Sequence, residues 1–291
     1  MAYPIVNDLR TIEFGTPGEM RTRLIDFVIN GNKRATAGLL HEYEREDEPI
    51  EFVGECLAMV DNDGSHVATL RVTRTEICRF ADVSDEFPLA EAEGDLNAAD
   101  FRASHLQFWS SVGEDITNDT PVVQVYFELL PHLLRPLQRE DAEWIHRACQ
   151  DPEIQRWTLV PRPYFVEHAT EFVSGANDER LVRAIFDIHH GEPVGVASIH
   201  HIEHGLATVG YWVAPWGRKR GAASTALLTL ASIAKRIDGT HSMRAEIAET
   251  NQASRRTAER AGFRLEGNAG KTCPDGCEQA PALAYDLNLI Y

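Results

Sequence analysis

The stretch "WVAPWGRKRGAASTALLTL", Trp212 to Leu230, constrains the fold more than any other part of the chain. A strand-like run stops at Pro215, three cations (Arg218, Lys219, Arg220) precede Gly221, and small residues then open a helix. Strand, basic glycine turn and helix in that order belong to an α/β arrangement. A helix N-terminus carries unpaired N–H groups and the positive end of the helix dipole, so it attracts anions. Ala222, Ala223 and Ser224 let a ligand approach the backbone closely, and with the three cations they point to a diphosphate. A solvated basic turn is the plainer alternative.

The elements around this turn follow from hydrophobic periodicity. Three strand candidates precede it: "LVRAIFDI", "PVGVASIHHI" and "ATVGYWVAP". After a helix from Gly221 to Ile237 come the strand "MRAEIAE", a helix from Asn251 to Ala261 and two terminal strands. Upstream, "LLRPLQ" reads as a strand, Arg139 to Cys149 as a helix, and residues near 151–157 and 166–176 as further helices. Before Pro131 the pattern is a helix over Pro17 to Asn30 and two apolar runs joined by the hairpin signal "DNDG". A helix capped by Asn97 and the strand "PVVQVYFELL" complete that half.

Charge changes at the same place. Residues 1–130 hold 10 Lys/Arg against 25 Asp/Glu, a balance of −15, whereas residues 131–291 hold 18 against 20, a balance of −2. Two domains, 1–130 and 131–291, are expected. So acidic a first half repels polyanions, which argues against DNA and against extended RNA wrapping. No apolar run approaches the ~18 residues of a membrane span, and the N-terminus lacks a leader pattern, so a cytoplasmic protein without a membrane partner is expected. Cys273 and Cys277 in "CPDGC" supply only half of a tetrahedral site, and no metal is expected.

Three motifs in the second half resemble the GNAT superfamily of acetyl-CoA-dependent N-acyltransferases. Arg218, Gly221 and Ala223 match its pyrophosphate signature, Arg/Gln-x-x-Gly-x-Gly/Ala, directly after a strand ending "WVAP". "NQASRRTAERAGF" is similar to its Asn-containing helix, and "LRPLQREDAEWIHRACQDPEIQRW" to the opening of the branch that acetylates ribosomal-protein N-termini. The resemblance covers residues 132–291. It implies a mixed central sheet flanked by helices, acetyl-CoA as cofactor, and an amine acceptor that is a small molecule or a protein N-terminus. It implies further that Trp212 and Val213 lie nearest the acetyl group, and that Arg218, Lys219, Arg220, Gly221, Ala222, Ala223 and Asn251 hold the cofactor.

The acid and base depart from the family pattern. Relatives in this branch carry a glutamate just before "GYW", where this chain has Thr208; other branches place a tyrosine seven residues after the motif asparagine, where it has Ala258. Ser254, one helical turn after Asn251, is a substitute donor for the leaving thiolate, or a capping serine. Glu203, His200, His201 and Glu246 are candidates for the base, with at most one of the two histidines lining the site because they leave the strand on opposite faces. A water relay would also serve. Trp157 falls where relatives build the acceptor pocket, and a packed aromatic is its alternative.

In the first half, "GNKRAT" places Lys33 and Thr36 after a helix stop, resembling the Gly-x-Lys-x-x-Thr stretch of ASCH domains, small PUA-like β-barrels. "LLHEYEREDEP", "VTRTEICRFADV" and "FRASHLQFW" continue the likeness to about Leu130. The resemblance implies a cleft for a nucleoside or short RNA, or a hydrolytic trio of Lys33, Thr36 and Glu76 if they converge. Lys33 and Glu76 in a salt bridge, with Thr36 opening a strand, is the structural alternative. The expected function is acetyl transfer from acetyl-CoA to a primary amine, with the first domain selecting the acceptor or binding a nucleotide-type ligand. The alternatives are an RNA or nucleotide sensor with weak transfer, and a hydrolase working from the first domain.

Overall fold

The computed structural model describes residues 4–175 and 181–289. The chain divides into two compact units, residues 1–130 and 131–291.

The first unit is a mixed sheet with helices laid against it. Its strands are β1 (Ile5–Val6), β2 (Leu9–Ile12), β3 (Ala35–Leu39), β4 (Cys56–Val60), β5 (His66–Arg79) and β6 (Pro121–Leu130), in the order β1-β2-β4-β5-β6-β3. The "DNDG" turn joins β4 to β5 as an antiparallel hairpin. Helix α1 (Glu19–Ile29) buries Leu24 and Val28 at i, i+4 spacing. Two short helices, α2 (Leu40–Glu46) and α3 (Glu86–Glu91), escape periodicity because each spans fewer than three turns. α3 exists through packing: Phe87 lies edge-on to Phe101 at 5.4 Å and to Tyr126 at 5.6 Å. Phe101 belongs to α4 (Ala98–Ser111), whose cap Asn97 accepts from the N–H groups of Ala99 and Asp100.

The second unit contains a seven-stranded sheet, with β7 (His132–Pro136), β8 (Leu181–Asp187), β9 (Glu192–Glu203), β10 (Leu206–Val213), β11 (Ser242–Ala248), β12 (Arg264–Asp275) and β13 (Glu278–Asn288). The order is β12-β13-β11-β10-β9-β8-β7, antiparallel except where β10 meets β11. Helices α5 (Asp141–Ala148), α6 (Pro152–Trp157) and α7 (Val166–Gly175) follow β7. The helix expected near 166–176 thus ends at Gly175, and residue 176 lies outside the described residues. α8 (Ala222–Lys235) carries a row of small and aliphatic residues, Ala222, Ala226, Leu230 and Ile233, that is wholly buried. α9 (Gln252–Arg260) follows β11. Among the described residues, no helix is long and apolar enough to cross a membrane.

Asp141 locks the start of α5. Its buried carboxylate accepts from Arg135 at 2.7 and 2.8 Å, the Gln138 N–H at 2.7 Å and the Trp144 indole at 2.6 Å. Burial pushes this carboxyl up, but the four donors outweigh it and hold it below the usual carboxylate value. Its contribution to stability is therefore present above the unfolded-state value and lost as pH falls through the lower folded one. Asp141→Ala is expected to cost about 3 kcal/mol, read from urea unfolding, because Arg135 and Trp144 keep their donors and lose the acceptor.

Candidate active site

β10 and β11 pair over a short register only, from Leu206 opposite Ser242 to Val209 opposite Ala245. β11 then continues to Ala248 against β13, while β10 continues to Val213 against β9. Among the described residues, no strand pairs with Gly210 to Val213 on the β11 side, so the sheet opens there into a wedge with backbone amides along one wall. Successive residues of the wall face opposite ways. Tyr211 reaches α9, where its hydroxyl lies 2.8 Å from Ser254 Oγ, and Trp212 packs on Trp144 of α5 with ring centroids 5.7 Å apart.

The basic turn runs from the end of this wall into α8. Gly221 is the helix N-cap at φ 84, in the left-handed region, and no side chain caps the helix. Lys219 is left-handed as well, at φ 66. A Cβ built on Gly221 would meet no heavy atom within 4 Å, and no side chain caps the first-turn amides of Ala222, Ala223 and Ser224. The three cations part company. Arg218 turns back to bind Asp151, and its Nε donates to the Val213 carbonyl at 3.3 Å. Arg220 reaches Asp187 at 3.3 Å. Among the described residues, Lys219 has no ion-pair partner and is exposed. The cradle thus offers an anion backbone amides and Lys219, while the Arg218 and Arg220 side chains are engaged by carboxylates.

The expected donor, Ser254, meets Tyr211 at α9. Asn251 caps the helix by accepting from the Ser254 N–H at 3.1 Å, which fixes Ser254 at the first turn. The Tyr211 hydroxyl also donates to the Ser254 carbonyl at 3.2 Å. Burial pushes the Tyr211 phenol up to about 12 despite the Ser254 bond, so it stays protonated at neutral pH. The motifs of the sequence do not single out Tyr211. The signal that could have found it is alternation, which turns Tyr211 to the face opposite Trp212.

The candidate bases separate by position. His201 pairs with Thr208 and Ile199 with Val209, so His200 is the extra residue of a β-bulge. Its ring covers Gly210, where a Cβ would fall 2.3 Å from Nε2, and this places it on the Trp212 face at the mouth of the wedge. Glu246 is the first residue of β11 beyond the pairing with β10, and Lys271 forms an ion pair with it. Glu203 does not reach the wedge. It pairs with Leu206 at the far end of β10, four positions or about 13 Å along the strand from Gly210. Trp157, at the end of α6, donates its indole N–H to Glu153 at 3.0 Å and lies under the Arg156 guanidinium, 4.4 Å away.

With this geometry, the similarity of the chain to known families has a structural meaning. Residues 132–264 match the family model of the acetyltransferase (GNAT) domain, and residues 10–131 that of the ASCH domain. The chain is an ASCH domain followed by a GNAT acetyltransferase domain. Its second half is thus an acetyl-CoA-dependent N-acetyltransferase. No curated protein matches the chain. Among solved structures, an ASCH domain from Lactobacillus crispatus is 24% identical over 41% of this chain and 77% of its own, with a TM-score of 0.37. The ribosomal L7/L12 alpha-N-protein acetyltransferase RimL, in complex with coenzyme A, is 22% identical over 54% of this chain and 94% of its own, with a TM-score of 0.48. The microcin C7 self-immunity acetyltransferase MccE, in complex with acetyl-CoA and AMP, is 19% identical over 54% and 92%, with a TM-score of 0.49.

In the ASCH domain the expected trio does not converge. Lys33 is buried, its Nζ donating to Glu93 at 2.6 Å and to the Glu91 carbonyl at 3.4 Å, 5.3 Å from the Phe14 ring centroid. Thr36 pairs with Val125 and Glu76 with Gln124, adjacent positions of β6, so their side chains leave the sheet on opposite faces. Glu76 lies 3.5 Å from Arg74 instead, and the Lys33–Glu76 salt bridge of the alternative reading is absent among the described residues. The acids around Lys33 are Glu93 and Glu91, and burial pushes the Glu91 carboxyl well above the usual range against the pull of Lys33. A cavity of about 410 Å³, lined by Phe27, Gly31, Asn32, Arg34, Leu89 and Ala92, flanks the turn that carries Lys33. Among the described residues, no cluster of His, Cys, Asp and Glu has the arrangement of a metal site.

Proposed function

We propose that the protein transfers an acetyl group from acetyl-CoA to a primary amine, on a protein N-terminus, a small amine or a nucleoside-related acceptor. The parting of β10 from β11 beside the open, glycine-capped start of α8 carries this reading. The first-turn N–H groups of Ala222, Ala223 and Ser224, approached across Gly221 and with Lys219 beside them, bind the pyrophosphate. Trp212 and Val213 border the acyl end. Bound acetyl-CoA supplies a thioester carbonyl open to attack by an amine.

This chain's residues then do three things. The unpaired amides beyond Val209 offer fixed donors to negative charge developing on the carbonyl oxygen. His200, with Glu246 across the wedge, accepts the proton an ammonium must lose before it can react. Tyr211 and Ser254 hold a proton for the departing sulfur. In the ASCH domain, the cavity beside the Lys33 turn supports a role in binding a nucleotide- or RNA-type ligand or in selecting the acceptor. Glu203 has no part in the reaction by virtue of its distance.

The test is a calorimetric titration with acetyl-CoA, followed by addition of a panel comprising a short peptide with a free N-terminus, spermidine and aminated nucleosides while free thiol is recorded. Binding and amine-dependent thiol release are expected. Absence of binding would overturn the reading.

A further inference from the structure

Arg218 stands at the heart of the pyrophosphate signature, yet its guanidinium is spent elsewhere. Two of its nitrogens engage both oxygens of Asp151, and the third holds the last residue of β10 through the Val213 carbonyl. A fork-to-fork contact of this kind is rigid as well as strong. Asp151 is also the N-cap of α6, accepting from the N–H groups of Glu153 at 3.1 Å and Ile154 at 3.0 Å. One carboxylate therefore joins the cofactor turn to the start of a helix that ends in Trp157.

A helix of six residues is too short to persist without tertiary ties. Beyond the burial of Ile154, α6 is held at its two ends. At the far end Arg156 Nε donates to Asp275 at 2.7 Å, and the Gly276 N–H donates to the Arg156 carbonyl at 2.9 Å. Asp275 takes a further bond from Thr250 at 2.8 Å, next to the cap of α9 that fixes Ser254. Polar contacts thus run from the cofactor turn through α6 and the β12–β13 turn to the Tyr211–Ser254 pair. Burial raises the Asp151 carboxyl, but Arg218 and the α6 amides prevail and keep it ionised, as the tie requires.

We propose that Asp151 is a positioning residue that couples the cofactor turn to α6, so that acetyl-CoA binding orders the helix that ends in Trp157. This rests on the cofactor reading above. The turn contains two left-handed residues, Lys219 and Gly221, and no side-chain cap, so a ligand on its amides restricts it. Arg218 passes that restriction to Asp151, and Asp151 passes it to the first turn of α6.

The test uses the full chain, acetyl-CoA as the only ligand, and hydrogen exchange of the segment 150–158. Asp151→Asn is informative because asparagine caps a helix as well as aspartate does. It keeps α6 capped and loses the ionic fork. In the wild-type chain, saturating acetyl-CoA is expected to slow exchange of the Gln155 to Trp157 amides at least about fivefold, the low end of ordinary coupling between sites. Asp151→Asn is expected to bind acetyl-CoA and lose most of that slowing. Arg218→Gln should lose it too, and the double variant should lose no more than either single one. Equal slowing in Asp151→Asn, or no slowing in a wild-type chain that calorimetry shows to bind, overturns the coupling alone. No binding by the wild-type chain overturns the cofactor reading and the coupling with it.

Discussion

Replacing Gly221 with asparagine is expected to weaken acetyl-CoA binding about 100-fold while leaving the fold in place. Asparagine tolerates the left-handed backbone better than other side-chain-bearing residues, so the turn survives at φ 84. Its Cβ would meet nothing of the protein within 4 Å, so no core clash accompanies the change. The side chain therefore enters the space in front of the first-turn amides, where a pyrophosphate must approach to about 3 Å to accept their hydrogen bonds. Losing two or three charge-assisted bonds at ~1.5 kcal/mol each would remove 3 kcal/mol or more, hence the factor. Gly221→Val should bind no better and also unfold more readily, because a β-branched residue is an outlier at positive φ. Calorimetric titration with acetyl-CoA measures the first effect and a thermal melt the second. Unchanged affinity in Gly221→Asn would show that the α8 cradle does not hold the cofactor.

The turn was legible because its chemistry is local. Strand, proline, cations, glycine and small residues follow one another within a dozen positions, and each acts on its neighbours. The order of strands and helices in the second half and the Asn97 cap were legible for the same reason, whereas Asn251, expected at the cofactor, proves to be the cap of α9. The partners of those residues were not. Nothing in "GRKRG" says that Arg218 will face Asp151, 67 residues earlier, and leave only Lys219 of the three cations exposed to a ligand without a carboxylate partner. Register decides other cases. One step along β6 separates the partners of Thr36 and Glu76, and that step turns their side chains to opposite faces. A single bulge sets His200 over Gly210 at the wedge, a placement that strict alternation along β9 could not supply. Lys33 stood out only through the resemblance of "GNKRAT" to the ASCH stretch, and its acids, Glu91 and Glu93, lie in an acidic stretch whose helix is too short to show a period.

Tyr211→Phe and Ser254→Ala are each expected to lower kcat about 100-fold, the low end of the range for loss of one proton-transfer group, with acetyl-CoA affinity within about twofold of wild type. The two hydroxyls lie 2.8 Å apart and form one unit, so the double variant should fall little below the lower single one. Tyr211 also donates to the Ser254 carbonyl at 3.2 Å, and Tyr211→Phe would leave both that carbonyl and the Ser254 Oγ without the phenol. Protein stability is a poor guide to this pair, since a structural hydroxyl contact and a catalytic one would each be worth about 1 kcal/mol to the fold. The pH profile separates them. With the phenol pushed up to about 12 by burial, the donor stays protonated through the alkaline range, and wild-type kcat should show no fall from this pair as pH rises toward 10. In the variants a thiolate must leave without a protein proton. Their deficit should shrink when the leaving thiol is made more acidic, as with an acetyl thioester of an activated pantetheine analogue. A deficit independent of leaving-group acidity would return both hydroxyls to the role of holding α9 against β10, and the proton for sulfur would then come from water at the mouth of the wedge.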